Sequence, residues 1–189
     1  MIGQAPDTMA PGSPGYDAGA RLLHRASAAA IVAAFLLGLA MGELPRGPLR
    51  DLGREAHYSL GVLALGLAML RLGWRAVRPL PEPLPGTPRW QHNATRLMHG
   101  VLLSVALAVP ASGLLDRWAR GRPVSVFGGL PLPPPFPVPG GKLWGEAHEA
   151  LAWGLAALLA AHLLAVAWHV LVLRDGTFRR MLGQSRRLG

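Results

Sequence analysis

Four apolar stretches, separated by polar and proline-rich segments, set the rhythm of this chain. They cover residues 26–42, 57–74, 97–115 and 148–173. About 20 apolar residues in a helix cross the ~30 Å hydrocarbon layer of a bilayer. The pattern therefore predicts an all-α integral membrane protein, a four-helix bundle. Prolines at 79, 81, 83, 85 and 88 exclude regular helix between the second and third spans. Pro110 is expected to kink the third, with neighbouring helices serving the freed carbonyl. The long connection 116–146 carries GGLPLPPPFPVPGG, which predicts extended or polyproline-like chain lying on the membrane or capping a site.

Residues 1–20 are rich in Gly, Pro and Ala without periodicity and read as a disordered tail. Residues 21–182 form the single four-span domain, and 183–189 a basic tail. A cleaved signal peptide over the first span is the competing reading. It is disfavoured because an h-region is normally shorter and His24 would be lost with it.

The fourth stretch reads HEALAWGLAALLAAHLLAVAWH, with histidines at 148, 162 and 169. At 100° per residue, fourteen steps return to within about 40° of the start, and seven to within about 20°. All three histidines share one helix face. His148 and His162 stand roughly 21 Å apart along the axis, which is most of the hydrocarbon thickness.

Composition changes the picture in two ways. Hydrophobic residues make up 51% and cysteine is absent. Without cysteine there are no disulfides, thiolate-held iron–sulfur clusters or covalent C-x-x-C-H haem attachment, so any haem takes His or Met ligands. The net charge is +9, but the arginines flank apolar runs and form no stripe on a polar helix, which argues against nucleic acid. Of the 19 basic residues, twelve fall on the side of the termini and seven on the other. The positive-inside rule then places both termini in the cytoplasm.

Pooling histidines by depth gives two levels. His57 and His148 open their spans at the outer face, while His24 and His162 share the inner half. An ionisable residue inside a span is a functional candidate by default. Two pairs at two depths suit two bis-histidine haems, each iron taking one neutral imidazole from either side. One zinc ion cannot account for them, because ligands ~21 Å apart cannot share a tetrahedral centre. His99 and His169 fall at the inner end as candidate contacts to a haem propionate or a quinone headgroup, or as plain interfacial residues. Arg71 and Arg75 are candidate propionate partners or positive-inside flanks. Trp74, Trp90, Trp144 and Trp168 fit interface anchors.

A set of short motifs carries a family resemblance. They are RLLH at 21–24, LRLGWR at 70–75 before the P-x-P-x-P run, RLMH at 96–99 with AVPASGL after it, VFGGLP at 126–131, AHEALA at 147–152, AHLLA at 161–165 and RDGTFRRM at 174–181. In these the chain resembles the prokaryotic cytochrome b561 family, related to the cytochrome b subunits of membrane-bound hydrogenases. The resemblance implies two haem b groups on His24, His57, His148 and His162, and electron exchange with ubiquinone or another membrane quinone in the bacterial inner membrane. It further suggests a superoxide:quinone oxidoreductase, with Arg117, Arg120 and Arg122 attracting the anionic donor. The alternative is a membrane-anchor subunit fed by a partner hydrogenase or dehydrogenase. One departure is plain: the family has Trp after the first histidine, and this chain has Arg25.

Overall fold

The computed structural model describes residues 15–78, 81, 83, 84, 86–175 and 177–183. Four long helices dominate: α1 (Ala18–Glu43), α2 (Pro48–Val77), α3 (Arg89–Ala119) and α4 (Leu143–Trp168). The last continues as a π-helical turn, His169–Leu173, and a short helix α5 (Thr177–Leu182) follows. All four long helices are long and apolar enough to cross a membrane. The expected tails fall largely outside the described residues, at 1–14 and 184–189.

Each helix outruns its apolar stretch. The 26 to 31 residues of each span reach about 40–45 Å at 1.5 Å per residue, the full bilayer including headgroups. The polar ends are helical because nothing stops them until a cap does. Asp17 caps α1, its Oδ1 accepting the Ala20 N–H at 2.9 Å. Pro48 opens α2 at the position where its missing N–H costs nothing. Between Pro88 and Pro110 no proline opposes helix, so α3 starts at Arg89 rather than near residue 97. It stays helical through Pro110.

Helix α1 packs along α2, α3 along α4, and α2 against α3. Phe35 of α1 meets Trp153 of α4 edge-on, ring centres 5.6 Å apart, which ties the first span to the last. The helix–helix core is built mainly from small side chains: Ser27, Ala30, Ala64, Ala68, Ala106 and Ser112 are buried, together with Leu103 and Leu155. Large apolar residues such as Leu36, Leu72, Leu164 and Leu171 face outward. That inversion is what lipid as solvent allows, since small residues let helices approach while leucines meet acyl chains.

The connection after α3 is extended in part, as its prolines predict, but pairs with itself. It contains an antiparallel hairpin, β1 (Val124–Val126) and β2 (Leu130–Leu132), with Val124 opposite Leu132. Pro131 is tolerated because a two-stranded ribbon has only edge strands. Val124 and Val126 are each only 1% exposed, with β1 lying on α2. Burying two valines on a helix holds the ribbon in place. The hairpin tip is pinned to α2 by two bonds. The Phe127 N–H donates to Ser59 Oγ at 2.9 Å, and the Gly128 N–H to Glu55 Oε1 at 2.8 Å. Phe127 is held in the left-handed region (φ 50°).

Candidate haem-binding site

Two of the expected histidines meet towards one end of the bundle, the level read above as outer. The rings of His57 on α2 and His148 on α4 lie with centres 6.1 Å apart and planes at 87°. His57 Nδ1 is 2.8 Å from the Ala34 carbonyl of α1. His148 Nδ1 is 2.8 Å from the Val109 carbonyl of α3 and 3.3 Å from Ser112 Oγ. A carbonyl only accepts, so Nδ1 carries the proton in both rings. The Nε2 lone pairs are left for another partner, which is the tautomer a metal-bound histidine needs.

Glycine makes room for both rings. A Cβ on Gly38 of α1 would stand 3.3 Å from the His57 ring, and one on Gly113 of α3 would stand 3.1 Å from the His148 ring. Every helix thus contributes to the outer level, two with imidazoles and two with bare backbone. Sequence reasoning missed these glycines although a signal was present: Gly38 follows His24 by fourteen residues and Gly113 follows His99 by fourteen, the same interval that separates His148 from His162. A cleft of about 120 Å³ runs between the helices here. Its lining includes His57, His148, Gly113, Pro110, Arg117 and Val124 of the hairpin, so the long connection does cap the site.

At the inner level each helix supplies one polar side chain: His24, Arg71, His99 and His162. The ring contact is between His99 and His162, centres 5.5 Å apart. His24 lies within electrostatic range of Arg71, His162 and His99, and His162 within range of Arg71. His99, which the sequence left without a partner, belongs to this cluster by position. Arg75 lies within electrostatic range of His99.

His169 goes elsewhere. In the π-helical turn its Nδ1 lies 2.5 Å from Asp175 Oδ2 and its Nε2 3.4 Å from Gln91 Nε2 on α3. Asp175 also accepts the Thr177 N–H at 3.0 Å. Burial pushes the Asp175 carboxyl up, but the bonds from Thr177 and His169 outweigh it and hold the group below its ordinary range.

Of the three arginines expected near the outer level, Arg120 is spoken for: its Nε and Nη2 both reach Asp116 Oδ1, at 2.9 and 2.7 Å. Arg117 and Arg122 line a second cavity of about 270 Å³ beside the cleft, with Asp51, Arg54, Glu55 and Tyr58. Trp74 anchors α2 to the start of α1 through Nε1–H to Asp17 Oδ2 at 3.1 Å, while Trp90 and Trp168 are exposed, as interface anchors are.

The donor set fits haem. A b-type haem would be held by neutral imidazoles, and would supply a one-electron iron couple there. His57 and His148 would be its ligands here: their rings meet with centres 6.1 Å apart, orientation is fixed by backbone carbonyls and space is kept by glycine.

Comparison with known proteins agrees with this chemistry. Residues 15–184 match the prokaryotic cytochrome b561 family. The chain is 32% identical over 171 residues to cytochrome b561 homolog 2 of Escherichia coli (strain K12), a match covering 86% of this chain and 88% of that protein. It is 31% identical over 136 residues to cytochrome b561 homolog 1 of the same organism, covering 70% and 76% respectively. With four membrane-crossing helices and histidines disposed as above, this chain belongs to the prokaryotic cytochrome b561 family of membrane electron-transfer proteins.

Proposed function

We propose that the protein carries two b-type haems, one at each level, and moves single electrons between the outer face of the bacterial inner membrane and membrane quinone. The observation that carries the reading is the outer pair, His57 and His148, with both Nδ1 protons committed to carbonyls. Haem, when bound, supplies a one-electron iron couple; the protein supplies ligands, spacing and a low-dielectric surround. His24 and His162 are the inner ligands in this reading, with His99 beside them. Arg71 offers its guanidinium to an inner propionate, and His99 and His169 face quinone chemistry at the inner surface. The termini lie in the cytoplasm. The outer donor is superoxide, drawn in by Arg122 on the rim of the second cavity.

The test is an anaerobic reduced-minus-oxidised spectrum with a pyridine haemochrome count on purified protein, His148→Ala, His162→Ala and His99→Ala. The expected result is two haems per chain, one in each of the first two variants and two in His99→Ala. A colourless preparation from haem-replete cells refutes the reading. Loss of a haem in His99→Ala with retention in a matching His24→Ala moves the inner ligand from α1 to α3. Failure of a superoxide generator to reduce the purified protein removes superoxide and leaves the electron-transfer core in place.

A further inference from the structure

We infer that Arg117 holds a propionate of the outer haem, standing in the wall between the haem cleft and the second cavity. The inference rests on the haem reading of His57 and His148. Arg117 sits in the last turn of α3 and lines both spaces; Tyr58 is the other residue they share. Its guanidinium carbon lies 5.3 Å from the Tyr58 ring centre, and its Nη2 donates to the Pro123 carbonyl at 3.2 Å. Its Nε is buried and, among the described residues, has no hydrogen-bond partner. A buried charged donor without an acceptor is costly and points to one that arrives with a ligand.

The neighbouring carboxylates are engaged elsewhere. Asp116 holds Arg120, Asp51 holds Arg54, and Glu55 accepts the Gly128 N–H of the hairpin. Arg117 is thus a cation at the cleft whose acidic neighbours already serve other groups. A b-type haem brings two carboxylates of its own, and a guanidinium binds carboxylate through two parallel bonds. At the inner level Arg71 is placed for the same task among His24, His99 and His162. Arg117 is the outer counterpart, a positioning residue that lines both spaces.

The test is an optical redox titration of the haem-loaded protein with Arg117→Leu and Arg117→Lys, each alone and combined with His148→Ala. A cation beside the haem favours the reduced form, so removing it lowers the midpoint potential. The expected result for Arg117→Leu is two haems, one midpoint shifted down and the other unmoved. Arg117→Lys, which keeps the charge without the two-pronged geometry, shifts the same midpoint less. In His148→Ala, which loses the outer haem, adding Arg117→Leu leaves the remaining midpoint alone. Two unmoved midpoints in a two-haem Arg117→Leu overturn the inference, as does an equal shift of the haem that survives in His148→Ala. If Arg117→Leu fails to assemble, Arg117→Lys decides: a displaced outer midpoint supports the assignment and parental midpoints overturn it. A change confined to the chloride or sulfate dependence of outer-haem reduction means that Arg117 serves an external anion, and also overturns it. Two haems in His148→Ala alone defeat the ligand assignment, and this inference with it.

Discussion

At Gly113 a missing side chain matters as much as the histidine it faces. The His148 ring lies where a Cβ would come within 3.1 Å, closer than ordinary van der Waals contact, and the ring is already tethered to Val109 and Ser112. It has little freedom to retreat. Gly113→Val is therefore expected to lose the outer haem and keep the inner one, read as one haem per chain by pyridine haemochrome. Gly66→Ala is the control: nothing lies within 4 Å of a Cβ there, and in a helix interior alanine is favoured over glycine by about 1 kcal/mol. It should keep both haems. The histidines were legible in the sequence because an ionisable group in an apolar run stands out. The glycines were harder to pick out: the fourteen-residue interval marks Gly38 and Gly113, but one glycine among 24 shows no role until a ring is seen against it.

At the scale of elements, the caps hold the sites in register. Asp17 joins the start of α1 to Trp74 near the end of α2. The Ala20 N–H and then the Trp74 indole N–H hold its carboxyl below its ordinary 3.8. A depressed carboxylate contributes stability that is in full force above its unfolded value and fades as pH falls through the folded one. The cap should therefore hold at neutral pH and loosen below about pH 4. Pepsin nicking near residue 17, compared between the two proteins at each pH, is the measurement: Asp17→Ala should be nicked faster at pH 5, and the difference should shrink on acidification as the parent's cap loosens. Equal nicking of the two proteins at pH 5 would remove this role for Asp17. The hairpin after α3 is the element that sequence reading did not anticipate. Its prolines argued for extended chain, and only the burial of Val124 and Val126 on α2, with the Ser59 and Glu55 tethers, made it a ribbon. The π-helical turn was equally hidden, since it exists where His169 closes onto Asp175 and Gln91.

At the scale of the molecule, the bundle meets two solvents at once. Leucines point out to lipid while alanines and serines draw the helices together, and polar side chains inside gather at two depths. The excess of basic residues at the helix ends on the side of the termini predicts a cytoplasmic C-terminus. A fluorescent-protein fusion at Gly189 should fluoresce, and an alkaline phosphatase fusion at the same point should be inactive. The opposite pair of results would invert the topology and exchange the faces on which donor and quinone are met.

The sequence alone determined the four spans and the two depths at which His24, His57, His148 and His162 lie. Span length is set by bilayer thickness, and depth along a helix is set by a fixed rise per residue; both are one-dimensional quantities. Which side chains face one another across the bundle is not. Tertiary structure alone set His57 against Gly38 and His148 against Gly113, brought His99 to His162, and left the Arg117 Nε without an acceptor among the described residues. Those relations depend on the rotation and approach of separate helices, which packing fixes and periodicity does not.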